Sequence, residues 1–127
     1  MENSYTPGTH LLLDLYQASH LSDKGVIEQA LLEAADACNA QVLQKNFHSF
    51  GEEQGITGML LLAESHISIH TWPESHFAAV DIFMCGHCDP ALAIGPIKKH
   101  LRPKSMDVRE FDRGTALNKP PSTDKSI

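Results

Sequence analysis

The stretch Ala63-Glu64-Ser65-His66-Ile67-Ser68-Ile69-His70-Thr71-Trp72-Pro73-Glu74 constrains this chain most, because only an extended backbone sorts its side chains. His66, Ser68, His70 and Trp72 alternate with Ile67, Ile69 and Thr71, a period of two where an amphipathic helix needs about 3.6. As a strand, the segment offers one apolar face to a core and one face of hydroxyl, imidazole and indole groups. Burying such a face without partners is costly, which makes it a candidate site. It follows Ile56-Thr57-Gly58-Met59-Leu60-Leu61-Leu62-Ala63, the most apolar run in the protein, read as a buried strand that continues straight into it.

The rest of the chain supplies a scaffold. After a polar lead-in over residues 1–9, His10 to Tyr16 reads as a short buried strand. Ser22 or Asp23 caps a helix whose apolar stripe is Ile27, Leu31, Ala34, Ala35 and Cys38, with a stop near Asn39. Cys38 lies on that stripe and reads as a core residue. Gln41 to Phe50 reads as a strand, and Gly51 to Gly55 as a turn. Pro73 breaks the chain before another apolar strand, Phe77 to Cys85. Asp89-Pro90 starts a second helix with Ile94, Ile97 and Leu101 on its stripe, a kink expected at Pro96 and an end at Pro103. Lys98, Lys99, His100 and Arg102 suit the negative end of its dipole. Met106 to Phe111 alternates as an edge strand would, and the polar residues from Thr115 onward read as a flexible tail.

This order predicts one domain over residues 1–114 and a tail over 115–127. The short links between consecutive strands favour an α+β fold, an antiparallel sheet with helices packed on one face. Such a sheet leaves its other face bare, so a partner subunit and a layered dimer are expected.

Composition narrows the function. The chain has 127 residues, of which 42% are apolar and 20% charged, which suits one globular core. Its net charge of −6 offers no nucleic-acid surface. No apolar run approaches the ~18 residues of a membrane span, and Met1 to Tyr5 lacks the basic and apolar parts of a signal peptide. Three cysteines, an odd number in a chain that needs no disulfide staple, point to a reducing cytoplasm.

Several chemistries can be weighed on residue types alone. Cys85-Gly86-His87-Cys88 has the look of a metal or redox pair. A zinc site needs four ligands and only Cys38 remains elsewhere, while a redox motif lacks parallel βαβ surroundings. A single reactive thiol at the end of a strand, with Cys88 incidental, is the better reading, and no metal is expected. His66 and His70 on a strand stand about 13 Å apart, too far to share one ion. No nucleophile elbow surrounds Ser65 or Ser68, and no phosphate loop or dinucleotide fingerprint is present. Phe50 and Trp72 fit either a core or a site, and the Thr57 hydroxyl has a backbone bond as its plain explanation.

The segment from Glu64 to Glu74 closely resembles the processing and active-site motif of the prokaryotic S-adenosylmethionine decarboxylases, which carry a pyruvoyl group. The likeness extends through Gly55-Ile56-Thr57-Gly58 before it and Ala78 to Gly86 after it, and in layout covers roughly residues 10 to 114. The resemblance implies an inactive precursor that cuts itself between Glu64 and Ser65, giving chains of residues 1–64 and 65–127. Ser65 would attack the Glu64 carbonyl, the resulting ester would eliminate, and the dehydroalanine would hydrolyse to a pyruvoyl group. That group would hold the substrate as a Schiff base and accept the electrons released with CO2.

By the same resemblance, His70 removes the Cα proton during elimination and Thr57 stands where the family has a processing serine. Cys85 would protonate the carbanion, a task that suits a thiol with an ordinary pKa of ~8.5. Phe50 and Trp72 would offer aromatic faces to the adenine and sulfonium, and Glu74 would accept from the ribose. His66, Ser68 and Cys88 receive no role. The implied reaction is decarboxylation of S-adenosylmethionine to the aminopropyl donor of polyamine (spermidine) synthesis, by a homodimer with both sites at the subunit interface. The alternatives are the same chemistry on ornithine or arginine, a non-catalytic partner subunit, or a small metal-binding module.

Overall fold

The protein is described by a computed structural model over residues 7–118. Six strands and two helices run in the order β1 (Gly8–Tyr16), α1 (Lys24–Ala37), β2 (Val42–Ser49), β3 (Ile56–Leu62), β4 (Ser65–Trp72), β5 (Phe77–Cys85), α2 (Ile94–Leu101) and β6 (Ser105–Arg113). The strands form one sheet in the order β2-β3-β4-β5-β1-β6, and every neighbouring pair is antiparallel. This is the expected α+β architecture. The insertion of β1 between β5 and β6 was not legible beforehand, because it joins segments far apart in sequence.

Alternation within each strand decides which side chains meet the helices. Leu11, Leu13 and Leu15 of β1, Ile67 and Ile69 of β4, and Val80, Ile82 and Met84 of β5 are buried on one face of the sheet. They share a core with Ile27, Ala30, Leu31, Ala34 and Ala35 of α1 and Ile97 and Leu101 of α2. Each such aliphatic side chain contributes roughly 1.5–3 kcal/mol through burial. Asp23 caps α1 by accepting from the Val26 N–H at 3.2 Å. Asn39 then leaves the helix in the left-handed region at φ 58°. Cys38 is buried, and burial pushes its thiol up to about 11.

Several boundaries differ from expectation. β1 starts at Gly8, so the lead-in is shorter than nine residues. Gly8 leaves room for the Phe83 ring: a Cβ would lie 2.2 Å from it, so a larger residue there would force the ring to shift. β3 is not buried throughout but alternates, leaving Met59 and Leu61 more than two-fifths exposed on the far face. Nor does it continue straight into β4. The chain reverses at Ala63 and Glu64, and Leu62 pairs with Ser65. At the second helix, Pro90–Ala93 forms a 3₁₀ turn before α2. Pro96 falls in the first turn of α2, where a missing N–H costs nothing, so the change from 3₁₀ to α stands in for a kink. Thr115–Asn118 forms a 3₁₀ turn where tail was expected. The remainder of the expected tail and residues 1–6 lie outside the described residues.

The face away from the helices is bare. Tyr16, Met59, Leu61, Trp72 and Phe111 are exposed on it, beside polar side chains of β1, β4 and β5. An apolar surface of this kind on a sheet usually marks an interaction site. Among the described residues no helix is long and apolar enough to cross a membrane.

Candidate active site

The singled-out residues collect at the two ends of β4. At its start, the Cys85 N–H donates to the Ser65 hydroxyl oxygen at 3.0 Å. Ser65 is nearly buried, on the same side as Ile67, whereas Cys85 falls on the open side of β5 and is partly exposed. The peptide before Ser65 belongs to Glu64, which sits in the left-handed region at φ 62°. A cleft of about 360 Å³ opens here, lined by His10, Glu64, Ser65, His66, Phe83 and Arg113.

Antiparallel register builds this cleft. His66 and His10 both pair with Phe83, and His10 also pairs with Phe111, so their rings form a row across four strands. His66 stacks on Phe83 at 5.7 Å between centroids, and His10 meets both rings edge-on. Burial lowers the His66 pKa, the neighbouring His10 lowers it further, and Asp81 opposes them. His10, Phe83 and Arg113 were not singled out from sequence. Their alternation was visible, but the pairing of β1 with β5 and β6 was not.

At the far end of β4, Thr57 and His70 are register partners, with Thr57 Oγ1 3.2 Å from His70 Nδ1. The Thr57 hydroxyl therefore serves a side chain and not nearby backbone. Trp72 stands 6.3 Å from the His70 ring and 5.3 Å from Phe77, and is 42% exposed. Phe50 packs edge-on against His48 at 4.6 Å and is 63% exposed, which removes it from the core. Phe50, Gln54, Thr57, His70, Trp72 and Glu74 line a second cleft of about 300 Å³. Its floor is tight: the Thr71 hydroxyl donates to the Leu21 carbonyl at 2.7 Å and accepts from the Ile56 N–H at 2.8 Å. A Cβ on Gly55 would stand 2.5 Å from the Thr71 carbonyl oxygen.

One chain does not bring the two groups together. Ser65 and His70 are five positions apart on one strand, which at ~3.4 Å per residue is about 17 Å. Ser65 and Cys85 are adjacent, Thr57 and His70 are adjacent, and the pairs are apart. Among the described residues no group of three or more His, Cys, Asp or Glu side chains is arranged to hold a metal ion.

Comparison with known proteins identifies the family. The family profile of S-adenosylmethionine decarboxylase matches residues 9–114. An S-adenosylmethionine decarboxylase proenzyme of Methanococcus maripaludis is 44% identical over 110 residues, covering 84% of this chain and 89% of its own. Its counterpart from Parasynechococcus marenigrum is 45% identical over 111 residues, covering 85% and 86%. The crystal structure of the adenosylmethionine decarboxylase from Aquifex aeolicus superposes with a TM-score of 0.75 at 33% identity, covering 96% of this chain and 98% of that one. With the same fold, the same span and this degree of identity, the chain belongs to the S-adenosylmethionine decarboxylase family.

Proposed function

We propose that this protein is a self-processing decarboxylase of S-adenosylmethionine that supplies the aminopropyl donor for polyamine synthesis in the cytoplasm. The observation that carries the reading is the Ser65 hydroxyl held by the Cys85 N–H, directly after the peptide of a left-handed Glu64. In this reading, one domain over residues 1–114 is cut into chains of residues 1–64 and 65–127.

The Ser65 Oγ attacks the Glu64 carbonyl carbon, and the peptide nitrogen leaves as an amine while an ester forms. The Cys85 N–H fixes the attacking oxygen. Loss of the Ser65 Cα proton then breaks the ester, freeing Glu64 as a carboxylate and leaving dehydroalanine, which hydrolyses with release of ammonia. The base for that proton is His70, whose Nδ1 is oriented by Thr57. Because His70 stands about 17 Å from Ser65 along its own strand, it is supplied by a second copy. Two copies packed through their bare sheet faces about a two-fold axis across the strands exchange the ends of β4. Each Ser65 end then meets a His70 end. The exposed apolar side chains Met59, Leu61 and Phe111 on that face favour this packing.

The residues around Ser65 fit a pyruvoyl group: the position is nearly buried, receives a backbone N–H from Cys85, and opens on a cleft. Such a group supplies a carbonyl that holds the substrate amine and withdraws the electrons released with CO2. Cys85 donates the proton that replaces CO2. The partner's cleft receives the rest of the substrate, with Phe50 and Trp72 against the adenine and the sulfonium and Glu74 on the ribose.

Intact mass after incubation tests the reading. Two chains cut between Glu64 and Ser65, with a blocked, ketone-bearing second chain, are expected, along with CO2 release from S-adenosylmethionine and not from ornithine or arginine. A protein that stays one chain, or releases CO2 only from the basic amino acids, would overturn it.

A further inference from the structure

Cys88 has no place in the reaction above, yet the fold sets it against Cys85. After β5, Gly86 takes φ 34°, and the Cys88 N–H donates to the Cys85 carbonyl at 2.9 Å. That bond closes a four-residue turn, and such turns hold their end Cα atoms within about 7 Å. A disulfide spans Cα separations of about 4.4–6.8 Å, so the turn already supplies the distance a bridge needs. Both thiols are free and partly exposed, and the two side chains meet closely enough that Cys85 raises the Cys88 pKa, with burial the larger cause. Cys88 also packs against the edge of the core, which limits where its sulfur can turn. The third thiol, Cys38, lies behind it but is buried. Its sulfur donates to the Asp89 carbonyl at 3.5 Å, and its pKa of about 11 keeps it protonated.

We propose that Cys85 and Cys88 form a reversible disulfide that switches decarboxylation off under peroxide. The switch rests on the reading of Cys85 as proton donor, since oxidation removes the proton it would give. In the first step the Cys85 thiolate takes one oxygen from hydrogen peroxide, forming a sulfenic acid and releasing hydroxide, which leaves as water. In the second, the Cys88 thiolate attacks that sulfur, an S–S bond forms, and a second hydroxide leaves as water. Two thiols lose two electrons and one peroxide is reduced to two waters. A thiol reductant reverses the bond by exchange. Because both cysteines lie after Ser65, the bridge is internal to the 65–127 chain and does not join the two chains of a processed protomer.

The sequence context argued against a redox pair because no βαβ unit surrounds it. That reasoning addresses a catalytic oxidoreductase. A protective or regulatory bridge needs only a turn, an accessible thiol and a second thiol in reach.

The test uses the processed protein, exposed to graded hydrogen peroxide and then to dithiothreitol, with mass mapping and CO2 release followed together. The expected result is a 65–127 chain lighter by about two hydrogens, with the bridge mapped to Cys85 and Cys88, and activity lost with it and restored by reductant. Cys88→Ser is expected to keep its untreated activity, to form no bridge, and to be oxidised at Cys85 beyond recovery under the same exposure. Absence of the Cys85–Cys88 bridge overturns the proposal, as does a Cys38–Cys88 link seen as joined chains on a non-reducing gel. A bridge that forms while CO2 release continues overturns the switch in a different way, by counting against Cys85 as proton donor and not against the thiol geometry.

Discussion

Replacing Glu64 by glycine should separate the strain at the cut from the chemistry of the side chain. Ala63 and Glu64 form a two-residue hairpin loop between Leu62 and Ser65, and of the two only Glu64 has a positive φ, 62°. A positive φ at the second loop position is where glycine is preferred, because a Cβ there crowds the backbone. The left-handed region costs a non-glycine residue about 1–2 kcal/mol. If attack on the Glu64 carbonyl relaxes that conformation, the strain lowers the barrier to cleavage by up to that amount. At 1.36 kcal/mol per factor of ten, Glu64→Gly should slow self-cleavage roughly 5- to 30-fold.

The same change should stabilise the uncut precursor. In a Ser65→Ala background, where no cleavage occurs, Glu64→Gly should add about 1 kcal/mol, a rise of about 3–5 °C in Tm for a chain of this size. Glu64→Ala removes the carboxylate and keeps the strain, so it should cleave close to the parent rate. The assay is the time course of the uncut band after refolding, with calorimetry on the Ser65→Ala pair. Equal slowing in Glu64→Gly and Glu64→Ala would refute the argument, because the side chain would then be the cause. An unchanged rate in Glu64→Gly would refute it as well.

Ser65→Ala and His70→Ala should each be uncut alone, yet their co-expressed mixture should contain heterodimers with one intact site and recover cleaved chain. Mass spectrometry reads the cleaved half, and no recovery would count against a site shared between copies. His66 should make the protein acid-sensitive. Its pKa is lowered by burial and by His10, which outweigh the opposing Asp81, with Glu64 and Arg113 also lining that cleft, so the folded state resists its protonation. Its stabilising contribution is complete above the unfolded value of about 6.5 and is lost as pH falls from there toward the folded value. Urea midpoints measured across that window should fall less steeply for His66→Asn. Thr71→Val leaves the Leu21 carbonyl and Ile56 N–H without their shared hydroxyl, and should cost roughly 1–3 kcal/mol by chemical denaturation.

The predicted elements were recovered because each followed from a local rule. The alternation of Ile67 and Ile69 with His66, Ser68 and His70 survives in the structure as a core face and an open face. The stripe through Ile27, Leu31 and Ala34 and the Asp23 cap define α1 in the same way. The turn at Ala63 and Glu64 escaped notice because it uses no glycine, asparagine or proline. The left-handed Glu64 is imposed by the two strands it joins. The row His66, Phe83, His10 and Phe111 depends on β1 entering the sheet between β5 and β6.

The sequence by itself singled out residues suited to chemistry and showed that the segment around them is extended with sides that alternate, since residue type and period are local properties. It could not say where along that strand the groups would meet. Only the tertiary structure set Cys85 beside Ser65 and Thr57 beside His70, and placed the two pairs about 17 Å apart. A strand is stiff and extended, so residues five apart on it cannot converge within one chain. Their separation follows from the geometry of β4 itself, and under the proposed function it makes the bare face of the sheet part of the site.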